Sequence, residues 1–192
     1  MRTRLEGLSD TELAALAKEG DASAFEEIYD RHCSGVARAL ASFAGPDQDL
    51  LDDLTQDVFL RVIESLPRYI PSHPFSHWLY TIALNVGRNH ARRPPKVVPV
   101  DPVDLDNVAL APAPAVDWSE DMMSRNLLGL VSRLPVQMQE VVSLRIGSGM
   151  SYGEIAEVLG IPGGTARSRM FNAVAILRKQ LTADDSKRSK ER

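Results

Sequence analysis
Apolar residues recur along this chain at helical spacing, and almost nowhere at the alternation of a strand. Ser9 and Glu12 form a capping box for a helix running to about Lys18. Asp21 opens a second helix, with Phe25, Ile28, Tyr29, Val36 and Leu40 at helical spacing, and Gly45-Pro46 breaks it. A third helix is expected from about Gln48 to Leu66, its core stripe being Leu50, Leu51, Leu54, Val58, Phe59, Val62 and Ile63. Pro67 to Pro74 holds three prolines and reads as a loop. A fourth helix follows from about Phe75 to Arg93, with Trp78, Leu79, Ile82, Ala83 and Val86 apolar.

From Pro94 to about Asp117 the period is lost among prolines, small residues and acids. That composition predicts a flexible, semi-extended linker dividing the chain in two. Beyond it a helix is expected from near Ser119 to about Arg133. Pro135 is then placed in the first turn of another, through Val141, Val142 and Leu144 to about Ile146. Gly147 and Gly149 turn the chain into Ser151, which with Glu154 makes a second capping box. Tyr152, Ile155, Ala156 and Leu159 stripe that helix. Gly160 suits its left-handed end, and Pro162 blocks continuation. Ala166, Met170, Ala173, Val174, Leu177 and Leu181 share one face of the last helix. Its other flanks carry Arg167, Ser168, Arg169, Phe171, Asn172, Arg178 and Lys179. Helix, short turn and longer basic helix make a helix-turn-helix whose second helix is shaped for the major groove. The fold class expected is therefore all-α: two small helical domains, 1–93 and 119–182, joined by a linker at 94–118, with a charged tail at 183–192.

Composition adjusts this picture in two places. The 192 residues carry a net charge of −4, which by itself argues against a nucleic-acid binder. The charge comes in blocks, however. Asp47 to Asp57 is acidic, Arg61 to Lys96 largely basic, Val97 to Met122 acidic, and Gly163 onward basic again. Two contacts with a polyanion, one from each half, fit that alternation. Cys33 is the single cysteine, so no internal disulfide forms and a reducing cytosol is the expected setting. The N-terminus lacks the apolar segment of a signal peptide, and no apolar run approaches membrane-spanning length, so membrane insertion is not expected.

Four stretches carry a resemblance: DLLDDLTQDVFLRVIESLPRY (49–69), FSHWLYTIALNVGRNHARR (75–93), LVSRLPVQMQEVVSLRI (130–146) and SYGEIAEVLGIPGGTARSRMFNAVAILRKQL (151–181). In this order, with a proline-rich linker between, they resemble the extracytoplasmic-function group of sigma-70 family RNA polymerase sigma factors. The resemblance implies a chain that docks on core polymerase, at the clamp of the largest subunit and at the flap, and directs promoter-specific initiation. It also points to promoter DNA as a partner, a regulon answering stress or envelope signals, and an anti-sigma protein as regulator. No cofactor, no metal and no enzymatic activity are expected.

The residues support parts of this on their own chemistry. Asp52, Asp53, Gln56 and Asp57 offer an acidic face to a basic partner, where complementarity speeds docking. Tyr69, Trp78, Asn85, Arg88, Arg92 and Arg93 mix bases with aromatics, a blend suited to melted single-stranded DNA. By similarity to the family, the 67–74 loop beside Asn85 receives an unstacked base. Trp78 fits a core position as well as a stacking platform. Thr165, Arg167, Ser168, Arg169 and Phe171 are the major-groove candidates of the minus-thirty-five element, Arg for guanine and Phe171 for a thymine methyl. Arg178 and Lys179 suit phosphate or water.

Three other readings compete. A stand-alone helix-turn-helix regulator would share the GMSYGEIAEVLGI pattern but lack the N-terminal helical half. A metal enzyme could be built around Glu27, Asp30, His32 and Cys33, but His32 and Cys33 diverge from the helix face that Glu27 and Asp30 nearly share, and no second ligand cluster exists. An interaction module without a DNA role leaves the basic helix unexplained.

Overall fold
The computed structural model describes residues 5, 7–92 and 125–188. Every regular element among them is helical: α1 Asp10–Lys18, α2 Ala22–Ala44, α3 Gln48–Ser65, α4 Phe75–Ala91, α5 Arg125–Val131, α6 Val136–Val142, α7 Tyr152–Leu159 and α8 Gly163–Arg188. The all-α class expected from the periodicity is therefore observed. The linker at 94–118, Arg93 and the helix start near Ser119 lie outside the described residues. α8 continues past Leu181 to Arg188, into the stretch expected as a charged tail.

Local signals set most boundaries. Ser9 N donates to Glu12 Oε2 at 2.7 Å, while Glu12 N donates to Ser9 Oγ at 3.3 Å, which closes the capping box of α1. Asp21 caps α2 by accepting from the Ser23 and Ala24 amides, and α2 stops where Gly45 turns to φ 66°. Asp47 caps α3 through the Leu50 amide. A 3₁₀ turn, Leu66–Arg68, follows. Pro74 and Pro135 stand just before α4 and α6, so Pro135 is a cap rather than a first-turn residue.

α6 ends earlier than its apolar pattern predicts. After Val142 the backbone widens into a π-helical turn, Ser143–Gly147. That turn is seated on α2: Ser143 Oγ donates to the Ala39 carbonyl, and Arg38 Nε donates to Gly147 O at 3.2 Å. A β-carbon on Gly147 would collide with the Ala39 backbone. Tertiary docking thus sets the geometry that local period could not.

The two halves share one apolar cluster. Val36, Leu40, Phe43, Val58 and Leu79 from the first half belong to the same buried set as Val131, Met138, Val141, Leu144 and Ile155 from the second. The stripes are largely as read, with three corrections. Tyr29 is 42% exposed, Ile63 50% and Leu181 40%. Ile63 follows the fully buried Val62 by 100° of helix, so the two cannot both face one narrow core.

Candidate nucleic-acid interface
The C-terminal face is built by α7 and α8. Ser151 and Glu154 close the capping box, Ser151 N donating to Glu154 Oε2 at 2.8 Å. These hydrogen bonds, the Ser151 hydroxyl first, hold the Glu154 carboxyl below its ordinary value. Gly160 takes the left-handed conformation, φ 64° and ψ 37°, that ends α7. α8 then buries Ala166, Met170, Ala173, Val174 and Leu177. That leaves Arg167 exposed and Thr165, Ser168, Arg169 and Phe171 half-buried along its flank. Ser168 Oγ donates to the Thr165 carbonyl at 3.0 Å. The Tyr152 ring carries two guanidinium groups, Arg145 at 5.3 Å and Arg167 at 5.7 Å from its centre. The sequence reading placed Tyr152 only in the core stripe, and it missed Arg145.

The second candidate surface is α4 with the loop before it. Asn85 and Arg92 are exposed and Arg88 is half-buried. Arg88 Nη1 donates to Asn85 Oδ1 at 3.0 Å, and Arg88 Nε pairs with Glu140 of α6. Arg93, the sixth candidate on this surface, lies outside the described residues. Tyr69, another candidate on this surface, is only 7% exposed and packs edge-on to Phe75 at 5.5 Å and against Trp78 at 4.8 Å. That aromatic cluster draws the ring inward from the loop. Its hydroxyl is buried with no hydrogen-bond partner among the described residues. Trp78 is half-buried against Tyr69 and Phe75 and also lines a cavity of about 220 Å³. The 67–74 loop and α4 contribute Tyr69, Ile70, Ser72, His73, His77, Trp78 and Thr81 to that cavity. Glu157 and Val158 of α7 form its remaining wall, with His77 Nδ1 at 3.6 Å from Glu157 Oε2.

The acidic face lies on α3. Asp52, Asp53 and Gln56 are exposed and Asp57 is half-buried. Asp52 accepts from Gln48 Nε2 at 3.0 Å and Asp57 from Arg61 Nε at 3.0 Å. Leu60 and Ile63, 52% and 50% exposed, extend the same helix with uncovered apolar surface that the sequence reading assigned to the core or passed over.

The rejected metal cluster is dispersed into other bonds. Glu27 holds Arg31 at 2.8 Å and His32 Nε2 meets Asp10 Oδ2 at 2.8 Å. Cys33 lies half-buried beside Tyr29, whose phenol is pushed up by its hydrogen bond with that thiol. Among the described residues no helix is long and apolar enough to cross a membrane.

Comparison with known proteins follows the same division. The family described as sigma-70 region 2 matches residues 19–94, and that described as sigma-70 region 4 matches residues 124–177. An ECF RNA polymerase sigma-E factor of Escherichia coli strain K12 is 32% identical over 178 residues, 88% of this chain and 92% of that one. The Haemophilus influenzae sigma-E factor is 27% identical over 185 residues, covering 92% and 97%. A solved structure of CnrH in complex with the cytosolic domain of CnrY superposes with a TM-score of 0.65 at 30% identity, covering 91% of this chain and 98% of that one. With both halves matched, the chain belongs to the extracytoplasmic-function sigma factors, sigma-70 family proteins that direct transcription by RNA polymerase.

Proposed function
We propose a division of labour among three faces. α3 docks on core polymerase through Asp52, Asp53, Gln56 and Asp57, with Leu60 and Ile63 adding apolar contact. α4 and the 67–74 loop take the melted strand of the minus-ten element. Asn85 meets a base edge, Arg88 and Arg92 meet phosphates, and the cavity beside Trp78 receives an unstacked base. α8 enters the major groove of the minus-thirty-five element with Arg167 foremost and Thr165, Ser168, Arg169 and Phe171 beside it. The chain catalyses nothing itself, and partnership with polymerase puts its action in the cytoplasm. An anti-sigma protein is a fitting regulator, since the similar CnrH is bound by the cytosolic domain of CnrY.

The observation that carries this reading is the exposure of Arg167 on a capped helix-turn-helix, in a chain whose other half offers Asn85, Arg88 and an aromatic-lined cavity. A stand-alone regulator would need only the first of these. Photocrosslinking tests the assignment directly. A crosslinking residue at position 85 in the reconstituted holoenzyme is expected to mark the non-template strand at the minus-ten element. One at position 167 is expected to mark duplex near minus thirty-five. Adducts from position 167 alone would remove α4 from the interface.

A further inference from the structure
The loop that leads into α4 is exposed along its length and held at both ends. Ile70, Pro71, Ser72, His73 and Pro74 are exposed, while Tyr69 before them and Phe75 after them are buried. Pro71 and Pro74 fix two of its φ angles, and Ser72 N donates to the Ile70 carbonyl at 2.8 Å. So short and stiff a stretch takes its shape from where its ends are placed. Both ends are tied to α1. At the first, Lys18 Nζ, in the last turn of α1, donates to the Tyr69 carbonyl at 3.4 Å. At the second, His32 Nε2 meets Asp10 Oδ2 of α1 at 2.8 Å, and the His32 ring packs 5.8 Å from that of Phe75. Asp10 is itself fixed, since it accepts from Arg31 Nη1 at 3.2 Å. The same guanidinium donates to the Leu5 and Leu8 carbonyls and to Glu27. Leu13 and Ala14 of α1 are fully buried, and the helix packs on the 3₁₀ turn Leu66–Arg68 as well as on α2 and α4. Lys18, Asp10 and His32 are not among the residues that line the cavity beside Trp78.

We propose that α1 is a brace for this loop: Lys18 and the Asp10–His32 pair hold its two ends, and so set which base of the minus-ten element the cavity accepts. The inference rests on the reading of α4 and its loop as the minus-ten surface. The three residues are positioning residues. They act through Tyr69, which lines the cavity, and through Phe75, which packs edge-on to Tyr69 at 5.5 Å. Discrimination between bases needs walls that stay in one place, and a loop free to shift admits the wrong base as readily as the right one. Loosening either end therefore relaxes preference at the minus-ten element. Recognition through α8 and docking through α3 are untouched, because neither helix borders the brace.

The test uses holoenzyme reconstituted with the full chain, on a promoter library randomised at both elements. Lys18 is exposed, and Lys18→Met keeps its methylene stem while removing the donor. The variant is expected to lower preference for the favoured base at one minus-ten position about fivefold, the effect of one lost hydrogen bond. Preferences at the minus-thirty-five element should stay as they are. Lys18→Arg is expected to restore the minus-ten preference. His32→Phe keeps a ring against Phe75 but removes the partner of Asp10, and should relax the same position. Minus-ten preferences unchanged in both Lys18→Met and His32→Phe would overturn the brace, provided Asn85→Ala still abolishes opening by the holoenzyme. So would a uniform loss of binding across all sequences in Lys18→Met, which would make Lys18 a phosphate contact. If Asn85→Ala leaves opening intact, the reading of α4 fails and the brace falls with it.

Discussion
Arg88 of α4 and Glu140 of α6, 52 positions apart in the chain, form an ion pair that joins the two halves of the protein. The pair is lopsided: the Arg88 side chain is 27% exposed and that of Glu140 only 8%. Removing the cation strands a buried carboxylate, which is the costly direction. Arg88→Ala is expected to destabilise the chain by about 2 kcal/mol in urea unfolding, Glu140→Gln by about 1 kcal/mol. Equal costs would show that Glu140 is better hydrated than the packing indicates.

The recognition helix separates specifying from positioning contacts. Arg167→Ala is expected to relax preference at a single base pair of the minus-thirty-five element by about 1–3 kcal/mol. Lys179→Ala should weaken all sequences alike and lower the salt dependence by about one phosphate contact. Holoenzyme binding to a promoter library at two salt concentrations distinguishes the two patterns.

On α3 the charges act at a distance. Asp52→Asn combined with Asp53→Asn is expected to slow association with core polymerase about tenfold at low salt, with the gap closing as salt rises. Both residues are exposed, so folding stability should change by less than about 0.5 kcal/mol. Stopped-flow association with labelled core reads the first effect and urea unfolding the second.

The capping boxes carry an acid dependence. The carboxyls of Glu12 and Glu154 are both held below the ordinary value by hydrogen bonds from their capping serines. A depressed value in the folded chain means stabilisation that is complete above the unfolded value of 4.5 and lost as pH falls through the folded one. Glu154→Gln is therefore expected to flatten the fall in melting temperature on acidification. Ser151→Ala should cost about 1 kcal/mol at neutral pH. Thermal unfolding across the acid range checks both.

Which features were legible in the sequence follows the reach of each signal. Ser9 with Glu12, Ser151 with Glu154, Asp21 and Gly160 act over three or four residues, so composition at fixed spacing reveals them. The buried face of α8 shows through its period. The burial of Tyr69 has no such mark, because Phe75 and Trp78 decide where its ring goes. The π turn at Ser143–Gly147 and the carboxylate partner of Arg88 had no local mark. Each depends on a surface brought up from the other half of the chain, and no periodicity reports such a neighbour.

Run-off transcription tests the central claim most directly. Core RNA polymerase on fragmented genomic DNA is compared with and without this chain. Discrete new transcripts are expected, with start sites sharing two upstream elements, and Arg167→Ala should deplete the subset with the consensus upstream element. No new transcripts, together with sequence-specific duplex binding by the chain alone, would contradict the account and favour a stand-alone regulator.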